Sequence, residues 1–264
     1  MGSRERIMRV ISMLMTAAAL AVSPAAAKAP AGGPADVAAA VAAPGRPKAA
    51  TDLDEVRKPA EVLRFMSLRK GDRVLDYFTG TGYYAEIAAR AVGPRGHVVG
   101  WNSAGFGRNE KVVAALRDVK ARNPNTAFYS SPTTAIAFAP NSFDLALLHL
   151  VYHDAYWESA QFGLPRIDPN TVVKAIWDAV KPGGTVAVID HAADPGGDTR
   201  AVVEKLHRID PAVVRADFER AGFVLEAQSE LLRVRADDHS KNVFDPSIRG
   251  RTDRFVYRFR KPAR

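Results

Sequence analysis

The sequence predicts an α/β domain built on a mostly parallel sheet, with helices on both faces and an antiparallel edge. Three observations carry that prediction. From Thr51 onward, short apolar runs alternate with helix-length amphipathic segments, the pattern of successive β-α-β units. Several of those runs, Phe143–Val151 above all, are nearly continuously apolar, as strands covered on both faces must be. The last two runs, Phe223–Val234 and Arg254–Phe259, have no helical segment between them, which implies an antiparallel pair.

Each element has its own signal. Pro59–Leu68 is expected as a helix: Pro59 suits the first turn, and Val62, Phe65 and Met66 share one face. Arg73–Tyr77 is a short buried strand, and Tyr83–Ala91 a helix. The turn Gly93-Pro94-Arg95-Gly96 leads into a second strand, His97–Trp101. Lys111–Arg122 (helix), Ala127–Ser130 (strand) and Phe143–Val151 (strand) follow. Asn170–Val180 is a helix closed by Lys181-Pro182-Gly183-Gly184, and Thr185–Asp190 the next strand. Pro211–Ala221 is a helix with Asp210 as a good N-cap and Gly222 as its stop. With the two closing runs, the strands number seven.

The N-terminal region differs in composition. Arg4, Arg6 and Arg9 precede an apolar run from Val10 to Val22, followed by Ser23, Pro24 and Ala25-Ala26-Ala27. A basic start, a short apolar middle and a small-residue exit describe a secretory signal peptide over residues 1–27. The run falls short of the ~20 residues a membrane span needs. The expectation is therefore an exported protein, periplasmic or secreted, with no stable membrane insertion after cleavage. Residues 28–50, rich in Ala, Pro and Gly, are expected as a linker, and 51–264 as the domain. With no cysteine, thiolate chemistry and disulfides are excluded. Cleavage lowers the net charge from +8 by removing three Arg and one Glu. The remaining positive charges are scattered rather than striped among aromatics, so no nucleic-acid partner is expected.

Ligands of such sheets bind at the carboxyl ends of the strands. There the first strand reads Val74-Leu75-Asp76-Tyr77-Phe78-Thr79-Gly80-Thr81-Gly82, an acid followed by a small-residue turn that lets a ligand approach the backbone. This segment resembles motif I of the class I S-adenosylmethionine-dependent methyltransferases. Pro140-Asn141-Ser142-Phe143-Asp144-Leu145 is similar to their fourth-strand entry, and Val180-Lys181-Pro182-Gly183-Gly184 to their fifth. The chain also resembles exported bacterial proteins described as predicted methyltransferases, through Arg57-Lys58-Pro59, Asp190-His191, His207-Arg208-Ile209-Asp210-Pro211 and Phe244-Asp245-Pro246. The resemblance implies a Rossmann-like methyltransferase fold and S-adenosyl-L-methionine as cofactor. It implies that Gly80 and Gly82 pass close to the cofactor's amino-acid portion and that Asp76 orients their loop. Three positions depart from the family pattern: Phe78 replaces the first glycine, Asn102 stands where an acid usually takes the ribose, and Ser131 lies near the usual adenine-contacting acid. Phe78, Asn102 and Ser131 complete the expected cofactor set.

Substrate-side candidates follow the fourth and fifth strands. His153 and His191 are the acid-base candidates, since a neutral imidazole takes a proton near neutral pH. Asp154 and Asp190 are expected to orient them. Tyr152, His207 and Arg208 are expected to bind the substrate, Arg208 by gripping a carboxylate or phosphate with two prongs. No metal is assigned, although these His-Asp pairs would suit a transition metal. The expected activity is methyl transfer to an oxygen or nitrogen of a small molecule. A second expectation, from Phe78, Asn102 and export, is a non-catalytic exported binding protein that keeps the fold.

Overall fold

The structure, a computed structural model, describes residues 32–263. The expected signal peptide and residues 28–31 lie outside them. Four short helices come first: α1 (Val37–Ala42), α2 (Lys48–Thr51), α3 (Asp54–Arg57) and α4 (Pro59–Phe65). Then follow β1 (Arg73–Tyr77), α5 (Tyr83–Val92), β2 (His97–Ser103), α6 (Ala104–Gly107), α7 (Glu110–Arg122) and β3 (Thr126–Ser131). After β4 (Phe143–His149) come α8 (Pro169–Ala179), β5 (Val180–His191), α9 (Thr199–Leu206), α10 (Pro211–Arg220), β6 (Val224–Ser229) and β7 (Arg254–Arg260).

The seven strands form one sheet in the order β3-β2-β1-β4-β5-β7-β6. The first five strands pair in parallel, and β7 is antiparallel to both β5 and β6. Period-2 alternation divides the core. Ala146 and Leu148 of β4 join Val186 and Val188 of β5 on one face, while Leu145, Leu147, Ala187 and Ile189 serve the other. The chain builds outward from β1 through β2 to β3, then returns to β4 on the other side of β1. That reversal opens a crevice at the carboxyl ends of β1 and β4.

Two segments differ from expectation. From Gly32 to Ala50 the chain is packed rather than a free linker: α1 lies against α4 and α5 with Val37 and Ala40 buried. Alanine is the best helix former, Asp36 caps Ala39, and the Arg46 guanidinium makes two 2.7 Å bonds to Asp54. Low hydrophobic bulk therefore did not mean disorder. Helix α9, which is not among the expected elements, is capped by Asp198 at the Ala201 N–H. Among the described residues, no helix is long and apolar enough to cross a membrane.

Candidate active site

The β1–α5 turn is held from within. Asp76 is buried and accepts a 2.6 Å bond from the Thr79 hydroxyl. Burial pushes its carboxyl up to about 6, the Thr79 bond opposing. Phe78 adopts φ +57°, the left-handed conformation a glycine would supply, at a cost of roughly 1–2 kcal/mol. Its ring offsets this by packing edge-on against Trp101 and Phe106, at 5.3 Å each. The two glycines differ in purpose. A Cβ on Gly82 would stand 3.1 Å from Leu116 and 3.2 Å from Val119, whereas one on Gly80 would meet nothing within 4 Å. Gly82 thus lets α5 seat on α7, and Gly80 leaves open space over the turn.

Asn102, at the end of β2, is 1% exposed and grips Gly80 with both ends of its amide. Its Oδ1 accepts from the Gly80 N–H at 2.9 Å, and its Nδ2 donates to the Gly80 carbonyl at 3.0 Å. This leaves one N–H and one acceptor position on the amide for a ligand. The Ser131 hydroxyl accepts from Trp101 Nε1 at 2.9 Å, fixing the indole beneath the crevice.

A second cluster sits at the ends of β4 and β5. Asp190 is fully buried and bonds both the ring and the backbone of His153: Nδ1 at 2.8 Å and the N–H at 2.9 Å. Asp154 Oδ1 stands 3.4 Å from His153 Nε2. Burial would lower the His153 pKa, but the two flanking carboxylates raise it to about 9. Asp190 is held below the usual range: burial would raise it, and the imidazolium outweighs burial. Burial pushes Asp154 up to about 6, with His153 opposing. His191 is the opposite case, driven down to about 3 by burial; its Nδ1 lies 2.7 Å from the Thr252 hydroxyl. His153 is ringed by His191 at 6.0 Å and His207 at 5.6 Å between centroids. His207 takes φ +51° at the end of α9, is lowered to about 4 by burial, and has a buried Nδ1 without a partner among the described residues.

An aromatic row connects the two clusters. From Phe78 it runs through Phe106 (5.3 Å), Phe162 (5.5 Å) and Trp157 (5.6 Å) to His207 (4.6 Å). Phe106 and Phe162 carried no signal in the sequence, because only the fold brings α6 beside the loop after β4. His149, at the end of β4, was hidden within an apolar run. Its ring lies 4.7 Å from that of Tyr84, and its buried Nε2 has no partner among the described residues.

Two expected substrate ligands are placed elsewhere. Tyr152 is fully buried against Phe218, and its hydroxyl donates to Asp217 at 2.7 Å. A buried phenol needs such a partner, and α10 supplies it. Arg208 is also fully buried. It donates to Asp237 at 2.8 and 3.2 Å and to the Ala192 and Lys241 carbonyls. A guanidinium so occupied pins the segment before β7 to the sheet and has nothing left for a substrate. Asp210 caps α10 through the Ala212 N–H.

A seven-stranded sheet of this order with a glycine turn after β1 is the layout of one class: the S-adenosylmethionine-dependent methyltransferases. Residues 68–233 match the family model for a methyltransferase domain. The chain belongs to that family. It is 29% identical over 131 residues to a demethylmenaquinone methyltransferase of Listeria monocytogenes, an alignment covering 49% of each chain. The chain thus spans about half the length of the curated relatives it matches. Among solved structures, a SAM-dependent methyltransferase from Aquifex aeolicus superposes with TM-score 0.54 at 18% identity, covering 80% of this chain and 98% of that one. The [4+2]-cyclase SpnF has the same TM-score at 17% identity, covering 79% and 81%. The Gly80 turn fits the cofactor of the class, and at β2 the fit runs through an amide instead of a carboxylate.

Proposed function

We propose that this chain transfers a methyl group from S-adenosylmethionine to an oxygen or nitrogen of a small, planar molecule. The observation that carries the reading is the buried Asp190–His153–Asp154 unit, joined to the glycine turn by the aromatic row. When bound, S-adenosylmethionine supplies an electrophilic methyl group. Gly80, Gly82 and Asn102 would hold it, with Asp76 and Thr79 keeping the turn in shape. The acceptor's proton goes to the Asp154–His153–Asp190 unit. His153 already carries a proton at neutral pH, so Asp154, poised near 6, is the receiving end. His191 stays neutral and orients the acceptor by hydrogen bonding. A planar acceptor is supported by the Trp157 and Phe162 rings, and by the quinone in the relatives' name. Positioning does the rest of the work.

The test is transfer of labelled methyl from S-adenosylmethionine to a panel of phenols, quinols and amines by the full chain. Asp154→Asn is expected to cut turnover by about 10²-fold or more while binding of S-adenosylhomocysteine persists. Unchanged turnover would remove Asp154 from the mechanism. Export is the second part of the reading: the mature protein is expected in the periplasm or medium, with Lys28 as its first residue by N-terminal sequencing.

One observation favours a different reading. Both ends of the Asn102 amide are occupied by Gly80, where the class usually presents a free carboxylate, and this suits a non-catalytic binding protein. A folded chain that ignores both S-adenosylmethionine and S-adenosylhomocysteine, yet co-purifies with another small molecule, would favour it.

A further inference from the structure

Arg254 opens β7 directly beside His191 in the antiparallel register, and it is only 4% exposed. Its Nε donates to the Thr252 carbonyl at 3.2 Å. Its two terminal nitrogens have no hydrogen-bond or ion-pair partner among the described residues. The two carboxylates that reach it electrostatically are engaged by other arginines: Asp253 by Arg233, and Asp237 by Arg208. Other basic or polar groups lie around it. Arg57 packs over the Tyr83 ring at 4.5 Å and has no side-chain hydrogen bond among the described residues. His149 keeps its Nε2 buried and unpartnered. Arg254 is itself held below the usual arginine range, chiefly by burial, with Arg57 adding to the effect and Tyr84, Asp253 and Asp237 opposing it.

A largely buried guanidinium whose terminal nitrogens bond nothing among the described residues, and whose neighbouring carboxylates Asp253 and Asp237 already serve other arginines, is suited to an added anion. We infer that Arg254, with His149 and His191 beside it, forms the pocket for an anionic group of the methyl acceptor, a carboxylate. Position favours the acceptor over the cofactor. In the sheet, β7 lies three strands from β1, roughly 14 Å at the usual strand spacing, so the Arg254 backbone is set apart from the Gly80 turn, while its guanidinium reaches toward Tyr84 and Arg57. The group also lies next to His191, on the side where an acceptor would meet the proton-handling unit. A carboxylate pairs with a guanidinium through two parallel bonds, which fixes an acceptor's orientation as well as its charge. The inference rests on the methyltransferase reading.

The experiment uses the full chain and its Arg254→Met variant. Each is titrated by calorimetry with 4-hydroxybenzoate, with its neutral methyl ester at matched ionic strength, and with S-adenosylhomocysteine. The wild type is expected to bind the acid in preference to the ester, and the variant to bind the acid at least about tenfold more weakly. Affinity for S-adenosylhomocysteine should be equal in the two proteins. The variant should also melt at the same temperature as the wild type or higher in anion-free buffer, since it removes an unpaired charge. Binding of S-adenosylhomocysteine without any Arg254-dependent preference for the acid would overturn the inference and leave the methyltransferase reading standing. A matching loss of S-adenosylhomocysteine affinity would assign the pocket to the cofactor's own carboxylate and also overturn it. A variant that melts lower would show a guanidinium already neutralised within the fold, and the inference would fall on that ground too.

Discussion

Asp154, His153 and Asp190 share protons closely enough to titrate as one unit. In kcat/KM against pH, activity is expected to rise as Asp154 ionises, with a lower limb near pH 6; that limb should vanish in Asp154→Asn. A limb that persists in the variant would assign it to another group. The same unit affects stability. His153 is raised from 6.5 to about 9 in the folded chain. Its contribution is fully present below pH 6.5 and lost as pH rises through 9, because the folded state then holds a proton the unfolded chain has released. Urea unfolding at both ends of that window should show the wild type losing more stability than Asp190→Asn, which removes the main partner of the imidazolium. Equal losses would mean the Asp190 contact does not raise the His153 pKa.

The turns and the strap before β7 are the elements that build the site. Gly80 and Gly82 both have positive φ, +58° and +86°, yet only Gly82 has neighbours where a side chain would go. Gly80→Ala should therefore cost about 1 kcal/mol, the backbone term alone, while weakening cofactor binding. Gly82→Ala should cost more, about 2–3 kcal/mol with the added overpacking, and urea unfolding compares the two directly. Arg208→Met leaves Asp237 buried without its counter-charge, with only the Asp253 N–H among the described residues still bonded to it, and should destabilise by about 3–5 kcal/mol. Adding Asp237→Leu should return much of that, because an apolar pair replaces a buried ion pair at little cost. If the double variant is as unstable as the single, the ion pair itself is what secures the strap.

For the whole molecule, sequence periodicity located the sheet well because the central strands β1, β4 and β5 bury most of both faces and the longer helices one stripe. The seven strands and the class of ligand turn were legible for that reason. Boundaries slipped where pattern and pairing part: β5 begins at Val180 because it pairs with Phe143, although Pro182, Gly183 and Gly184 read as a turn. Residues 37–42 read as linker because alanine is apolar but small. In the site, His153 and Asp190 were legible by adjacency to strand ends, whereas the roles of Tyr152 and Arg208 depended on Asp217 and Asp237, 65 and 29 residues distant. His149 and Arg254 sat inside strand text with nothing to mark them. No local pattern reports such partners. Every role proposed for the site depends on the turn after β1 holding S-adenosylmethionine, and calorimetric titration of the full chain with S-adenosylhomocysteine decides that point. Saturable one-to-one binding, lost in Gly80→Arg, is expected. A folded protein that takes up no heat of binding, or a Gly80→Arg variant that binds as well as the wild type, would contradict it.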